Sequence, residues 1–241
     1  MGQKTYRKHF IPLESNPDIF TELVHSLGVS ESLGFQDVLS LDDPDLLAFI
    51  PRPVFALILV FPCADDYDQR VDEENANSPP YDGSGPNEEV VFWKQTIHNA
   101  CGLYALLHAV SNGDAKDHIN SGSILSNLLD AGIPLKPFER AMVLEDSKQL
   151  ASAYESVARK GDSIAPENPE DEVNFHYICF VKSSKTGNLF QMNGDLNGPI
   201  DLGPMKAEDD VLSEKCLQVI HNMVKDNDSN IGFSLMALTS S

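Results

Sequence analysis

The stretch Phe92-Trp93-Lys94-Gln95-Thr96-Ile97-His98-Asn99-Ala100-Cys101-Gly102 runs directly into Leu103, Leu106, Leu107 and Val110, and the apolar run stops at Asn112-Gly113. Residues at these spacings share one face of a helix, and Asn-Gly is a stop signal. Polar sequence therefore gives way to a buried helix with Cys101 in its first turn. The unpaired N–H groups and positive dipole end of a helix favour thiolate over thiol there. Gln95, six residues earlier, is in reach of the same spot and can donate to a developing oxyanion. By default a cysteine in apolar surroundings is a small packed hydrophobe. Reading Cys101 as a nucleophile therefore requires a histidine partner.

His176 is the candidate. It lies in Asn174-Phe175-His176-Tyr177-Ile178-Cys179-Phe180-Val181, which reads as a buried strand with apolar neighbours on both faces. A turn over Ser183–Gly187 follows, then a second strand-like piece, Leu189-Phe190-Gln191-Met192, ending in Asn193-Gly194-Asp195. A hairpin of this kind returns Asn193 or Asp195 to the side of His176. In Cys–His sites the third member is an Asn or Asp that fixes the imidazole's tautomer and orientation. The plainer alternative is a core histidine bonded to a backbone carbonyl, beside a turn-forming Asn-Gly.

With these residues in place, the chain resembles the ubiquitin carboxyl-terminal hydrolases of the small, single-domain cysteine-protease type. The resemblance runs through Ile11-Pro12-Leu13-Glu14-Ser15-Asn16-Pro17, Phe35-Gln36-Asp37-Val38, Asp43-Pro44-Asp45-Leu46-Leu47 and Pro51-Arg52-Pro53-Val54. It continues through Lys94-Gln95-Thr96-Ile97, Asn99-Ala100-Cys101-Gly102, Ala105–Val110, the histidine strand and the closing Phe233–Leu238. The resemblance implies a papain-like α/β (α+β) fold: a mainly antiparallel central sheet flanked by helices, with a knotted backbone. It implies cleavage of small or unfolded adducts after ubiquitin's terminal glycine, through a thioester. Cys101 would be the nucleophile, His176 the general acid and base, Gln95 the oxyanion donor and Asn193 the orienting residue, with Asp195 as its alternative. Pro12, Leu13, Glu14, Asp37 and Phe175 become candidate ubiquitin contacts. A ubiquitin-binding module with weak or no hydrolysis, and a hydrolase preferring a ubiquitin-like modifier, are the other readings.

The chain departs from the family pattern in places. Family members usually carry Asp where Asn193 stands, followed by Gly and often Arg. Here the order is Asn193-Gly194-Asp195. An amide oxygen orients a histidine but stabilises an imidazolium less than a carboxylate does. Asp195, as the adjacent turn residue, is expected to point elsewhere. His98 and Leu103 stand where a small residue and Thr are usual; His98 is read as a loop residue.

The chain has 241 residues, 41% of them hydrophobic, with apolar segments recurring throughout. That supports one domain over 1–241. The longest strongly apolar run, Val54–Phe61, is far short of the ~20 residues that span a bilayer. The N-terminus, Met-Gly-Gln-Lys-Thr-Tyr, lacks a signal-like apolar region. Four cysteines without paired spacing fit a reducing compartment, with Cys179 and Cys216 as core thiols. A cytoplasmic, and also nuclear, monomer is expected, with no cofactor, no metal and no membrane partner. The net charge of −20 excludes nucleic acid, whose phosphates it repels, and favours a basic partner. The acidic, Pro- and Gly-containing segment 64–87 reads as a mobile surface loop. Segment 158–171 reads as a long loop, which the resemblance places across the active site.

Elsewhere, Asn16-Pro17 and Gly28 bracket one helix, and Val54–Phe61 reads as a central strand. Ile124–Leu129 marks a short helix and Phe138–Tyr154 another. Val211–Val224 forms an amphipathic helix, and Ile231–Leu238 a last strand.

Overall fold

The computed structural model describes residues 6–63, 66–171, 173–226 and 232–240. Its centre is the strand β2 (Val54–Pro62), flanked in one antiparallel sheet by β1 (Leu33–Asp37), β3 (Phe175–Lys182), β4 (Asn188–Met192), β5 (Ile200–Pro204) and β6 (Ser234–Ser240). The strand order is β1-β6-β2-β3-β4-β5, and every pair is antiparallel. The two most apolar strands, β2 and β3, lie inside the sheet, where both faces need covering.

Alternate side chains of these strands feed two cores. Ala56, Ile58, Val60, Tyr177, Cys179 and Val181 face one; Leu57, Leu59, Phe61, Ile178 and Phe180 face the other. A register shift between Val54 and Ala56 puts Val54 on the second face with Leu57, as expected where a bulge inserts one residue. Each fully buried Leu or Ile here contributes about 1.5–3 kcal/mol of transfer free energy.

Helix α1 (Pro17–Leu27) packs its apolar stripe Ile19, Phe20, Leu23, Val24 and Leu27 into the first core. Asn16 caps it by accepting from the Asp18 and Ile19 amides, and Gly28 closes it at φ 101°, the left-handed geometry that glycine adopts without strain. A short α2 (Pro44–Leu47) follows β1. Segment 64–87 is not all loop: Tyr67–Asn77 forms helix α3, anchored by Val71, which is buried. The polar composition hid one apolar anchor and a string of side-chain hydrogen bonds described below. Residues 64 and 65 lie outside the described set.

The helix expected after residue 100 is α4 (Cys101–Ser111), and all eleven of its residues are buried, not one face only. The region read as one helix over 138–154 is two, α6 (Pro137–Asp146) and α7 (Lys148–Val157), following α5 (Ile124–Gly132). Ser147 separates them and caps α7 through the Leu150 amide, an N-cap signal inside a continuous periodic pattern. Helix α8 (Glu214–Asp226) begins later than its pattern suggested; Val211 and Leu212 pack into the second core ahead of it. The last strand starts at Ser234, and residue 231 lies outside the described set. No helix among the described residues is long and apolar enough to cross a membrane.

Candidate active site

The segment carrying Gln95 is buckled onto α4 by side chains that replace secondary structure. Asn112 bonds both backbone groups of Val91, accepting from its amide at 2.7 Å and donating to its carbonyl at 3.0 Å. The Trp93 amide donates to His108 Nε2 at 2.9 Å, and the Trp93 indole donates to Ser111 at 3.1 Å. His108, mid-helix behind the cysteine, is wholly buried, and burial lowers its pKa to about 3, so it stays a neutral acceptor. Below this sits a buried ion pair: Arg140 donates to both Glu88 oxygens, at 2.9 and 2.5 Å, and to the Phe92 carbonyl. Glu88, just past the acidic segment 64–87, is an internal strut.

Three distant segments then close on one point. The Gln95 amide donates to the Gly194 carbonyl at 2.9 Å, and a Cβ on Gly194 would lie 2.8 Å from Gln95 Cβ. Only glycine permits that approach. His176 sits on β3 opposite Phe61 of β2, and its Nε2 donates to Asn193 Oδ1 at 2.8 Å. Cys101 is the first residue of α4, preceded by Ala100, which offers no side-chain cap. Its sulfur lies 4.0 Å from the carbonyl oxygen of Phe175, the residue before His176.

The thiol's environment departs from expectation. The helix end was expected to favour thiolate, but the Cys101 pKa is pushed up to about 12. Burial is the main cause, the Asp195 carboxylate comes next, and neighbouring amides of Tyr177 and Gly102 pull only partly the other way. Desolvation of an anion outweighs a half-charge at a helix end. The resting sulfur is a thiol.

Asp195 also departs from expectation. Its Oδ2 lies 3.6 Å from His176 Nδ1, so Asn193 and Asp195 face opposite nitrogens of one ring. Gln95 holds Nε2 at 3.3 Å from the Ile97 carbonyl, while its buried Oε1 has no hydrogen-bond partner among the described residues.

The expected ubiquitin contacts separate. Leu13 is buried, packs beneath Gly102, and its carbonyl accepts from the Tyr177 hydroxyl at 2.8 Å; its side chain belongs to the core. Glu14 accepts from the amides of Asp162 and Ser163. Hydrogen bonding from the Ser163 side chain, helped by these amides and Asn16 and opposed by burial, lowers its pKa. Pro12 is half-buried, while Asp37 at the end of β1 and Phe175 at the mouth of β3 are exposed. His98 is occupied by the N-terminal arm, donating its amide to the Lys8 carbonyl and packing on Tyr6 and His9.

Segment 158–171 contains neither helix nor strand and is tied at both ends. Glu14 holds 162–163, and Asn99 donates to the carbonyls of Pro169 (3.0 Å) and Asp171 (2.7 Å). Asn99 lies two residues before Cys101 and has φ 56°, a left-handed conformation that Asn tolerates better than most side chains.

Sequence reasoning missed Tyr67. Its hydroxyl donates to Asp195 Oδ2 at 3.3 Å and accepts from Asn193 Nδ2 at 3.4 Å, with its ring 5.0 Å from the His176 imidazole. A strong apolar period around it would have raised attention, but α3 is mostly polar and exposed.

A buried cysteine opening a helix, packed against a strand that supplies the histidine, is the layout of a papain-like thiol hydrolase. The family model for ubiquitin carboxyl-terminal hydrolase, family 1, matches residues 10–225, and the chain belongs to that family. A Drosophila melanogaster ubiquitin carboxyl-terminal hydrolase is 35% identical over 228 residues, covering 95% of this chain and 96% of the relative. The Saccharomyces cerevisiae ubiquitin carboxyl-terminal hydrolase YUH1 is 37% identical over 198 residues, covering 80% and 78%. Among solved structures, the Trichinella spiralis UCH37 catalytic domain bound to ubiquitin vinyl methyl ester superposes with a TM-score of 0.73 at 23% identity, covering 99% of this chain and 97% of that one. At that identity the likeness bears on fold.

Proposed function

We propose that this chain hydrolyses bonds to the C-terminal glycine of ubiquitin, with Cys101 as nucleophile. The observation that carries the reading is the convergence of Gln95, Cys101 and His176 from three segments, locked by the Gln95–Gly194 and His176–Asn193 bonds.

Nε2 of His176 is engaged by Asn193, which leaves Nδ1 to exchange a proton with the thiol. As Cys101 sulfur bonds to the substrate carbonyl carbon, Nδ1 takes the thiol proton. The oxyanion is met by Gln95 and the Cys101 backbone N–H; losing one such donor raises the barrier by about 3 kcal/mol. Imidazolium then protonates the leaving amine as the C–N bond breaks. Water, deprotonated by His176, cleaves the thioester and restores the thiol. Because the sulfur rests neutral, proton transfer belongs to the attack rather than preceding it.

Segment 158–171, pinned by Glu14 and Asn99, limits what can pass. This supports small or unfolded adducts as the substrate class. Phe175 and Asp37, both exposed, are candidate ubiquitin contacts, and Pro12 a weaker one. Glu14 serves as a latch on this loop. The charge of −20 suits a basic protein partner rather than nucleic acid. We assign the chain to the cytoplasm and nucleus as a monomer without cofactor.

A ubiquitin vinyl electrophile tests the reading. It should label wild-type protein at Cys101, and Cys101→Ser should lose both labelling and turnover of tail-linked fluorogenic ubiquitin while still binding ubiquitin. Binding without labelling of the wild type would make the chain a ubiquitin-binding module. Faster turnover of a ubiquitin-like substrate than of ubiquitin would shift its specificity to that modifier. Turnover by Cys101→Ser would overturn the nucleophile.

A further inference from the structure

Asn193 carries no charge, and the negative charge stands two residues on, at Asp195. Three polar or phenolic side chains meet at the imidazole. Asn193 Oδ1 accepts from Nε2 at 2.8 Å, Asp195 Oδ2 lies 3.6 Å from Nδ1, and the Tyr67 ring is tilted against it at 5.0 Å. The Tyr67 hydroxyl joins the other two. Asn193 Nδ2 has only protons to offer, so the hydroxyl accepts from it and turns its own proton toward Asp195. The chain of donors therefore runs one way, from amide to phenol to carboxylate.

Asp195 is anchored by its backbone as well. Its amide donates to Asn193 Oδ1 at 3.0 Å, and its carbonyl accepts from Lys94 and Asn75 at 2.8 and 3.0 Å. These bonds fix the turn, but not which way the carboxylate points. The Tyr67 hydroxyl donates to that carboxylate.

We propose that Tyr67 is a positioning residue for the hydrolase site: its hydroxyl, oriented by Asn193, holds the Asp195 carboxylate beside Nδ1 of His176. Two tasks are thereby divided between two side chains. Asn193 sets the ring's orientation through Nε2, while Asp195 supplies the charge that stabilises the imidazolium formed when Nδ1 takes the thiol proton. The inference rests on the hydrolase reading for its kinetic consequence, and on coordinates alone for its electrostatic one. Around Asp195, the ionisable groups it acts on are Tyr6, Cys63, Tyr67 and Cys101, Asp68 and Arg70 act on Cys63 beside them, and Lys94 bonds the Asp195 carbonyl. Of these and Asp195, the carboxylate in salt-bridge range of the ring is Asp195.

Tyr67→Phe keeps the ring contact and removes only the hydroxyl. With fluorogenic ubiquitin, kcat should fall about tenfold with KM within twofold, as for a misplaced group near the reacting atoms. The acidic limb of the pH–rate profile should move to lower pH, because an imidazolium without its counter-charge gives up its proton more readily. Asp195→Asn should act in the same direction, and the double variant should be little worse than Asp195→Asn alone. Gln69→Ala removes a bond to Glu73 on the exposed face of the same helix and should leave the limb in place. The imidazole titration of His176, followed by nitrogen-15 NMR in wild type and Tyr67→Phe, reads the same contact without turnover. A wild type that fails to turn over would end the hydrolase reading, and the NMR titration would still decide the role of Tyr67. An unmoved titration in Tyr67→Phe, additive single variants, or Gln69→Ala reproducing the shift would overturn it.

Discussion

Cys101 stands at the head of a helix, where elementary electrostatics favours an anion, yet burial and Asp195 push its pKa up to about 12. A half-charge at a helix end contributes of the order of 1 kcal/mol, while removing a thiolate from water costs several times more. A consequence can be measured on the free protein. Iodoacetamide modification of Cys101, followed on its peptide by mass spectrometry, should accelerate about tenfold per pH unit from pH 7 to 9 without levelling, because the thiolate fraction keeps rising well below the pKa. A plateau near pH 6–7 would mean a preformed thiolate. Gly194 shows the same dependence of chemistry on small clearances: its missing Cβ is what allows the Gln95 backbone to bond there.

Helix α4 does more than present a sulfur. Through His108, Ser111 and Asn112 it holds the extended segment 91–93, and with it the approach to Gln95. His108 acts only as a neutral ring, since its Nε2 accepts from the Trp93 amide. Burial depresses its folded-state pKa to about 3 from an ordinary 6.5. Between those values the unfolded chain binds a proton that the folded chain refuses, so stability falls as pH drops below 6.5. Urea unfolding should show a loss of roughly 2 kcal/mol between pH 6.5 and 5, from about 1.4 kcal/mol per unit. His108→Gln, compared with wild type across that window, should flatten the dependence, whatever its effect on stability at pH 7. An equally steep slope in the variant would place the acid sensitivity elsewhere. Segment 158–171 depends on other elements: it has no ladder of its own and takes its position from Glu14 and Asn99.

At the scale of the whole molecule, the sheet order β1-β6-β2-β3-β4-β5 puts the last strand beside the first and second, and the histidine strand β3 directly against β2. That arrangement leaves α4 to cover β3 on one face while α8 covers the other. The buried Arg140–Glu88 pair ties α6 to the segment leading into the site. The chain's charge of −20 gives a long-range field that a basic partner feels before contact. Ubiquitin association, followed by stopped-flow, should slow about tenfold or more from 20 to 300 mM salt, with dissociation changing much less. Salt-independent association would remove steering from the account.

The helix start at Cys101, the doubly apolar strand of His176 and the hairpin end before Asn193 are legible in the sequence because each carries a local pattern. The cap at Asn16, the central strand β2 and the core thiols Cys179 and Cys216 were legible for the same reason, since periodicity and capping are short-range physics. What lay beyond it were relations between groups distant in the chain. Tyr67 meets Asp195 across 128 residues, Glu14 meets Ser163 across 149, and Arg140 meets Glu88 across 52. None of these leaves a periodic trace, because a single polar contact constrains one side chain and not a repeating face. The protonation state of Cys101 likewise belonged to the tertiary structure: sequence placed the sulfur at a helix end, and only packing fixed how much water reaches it.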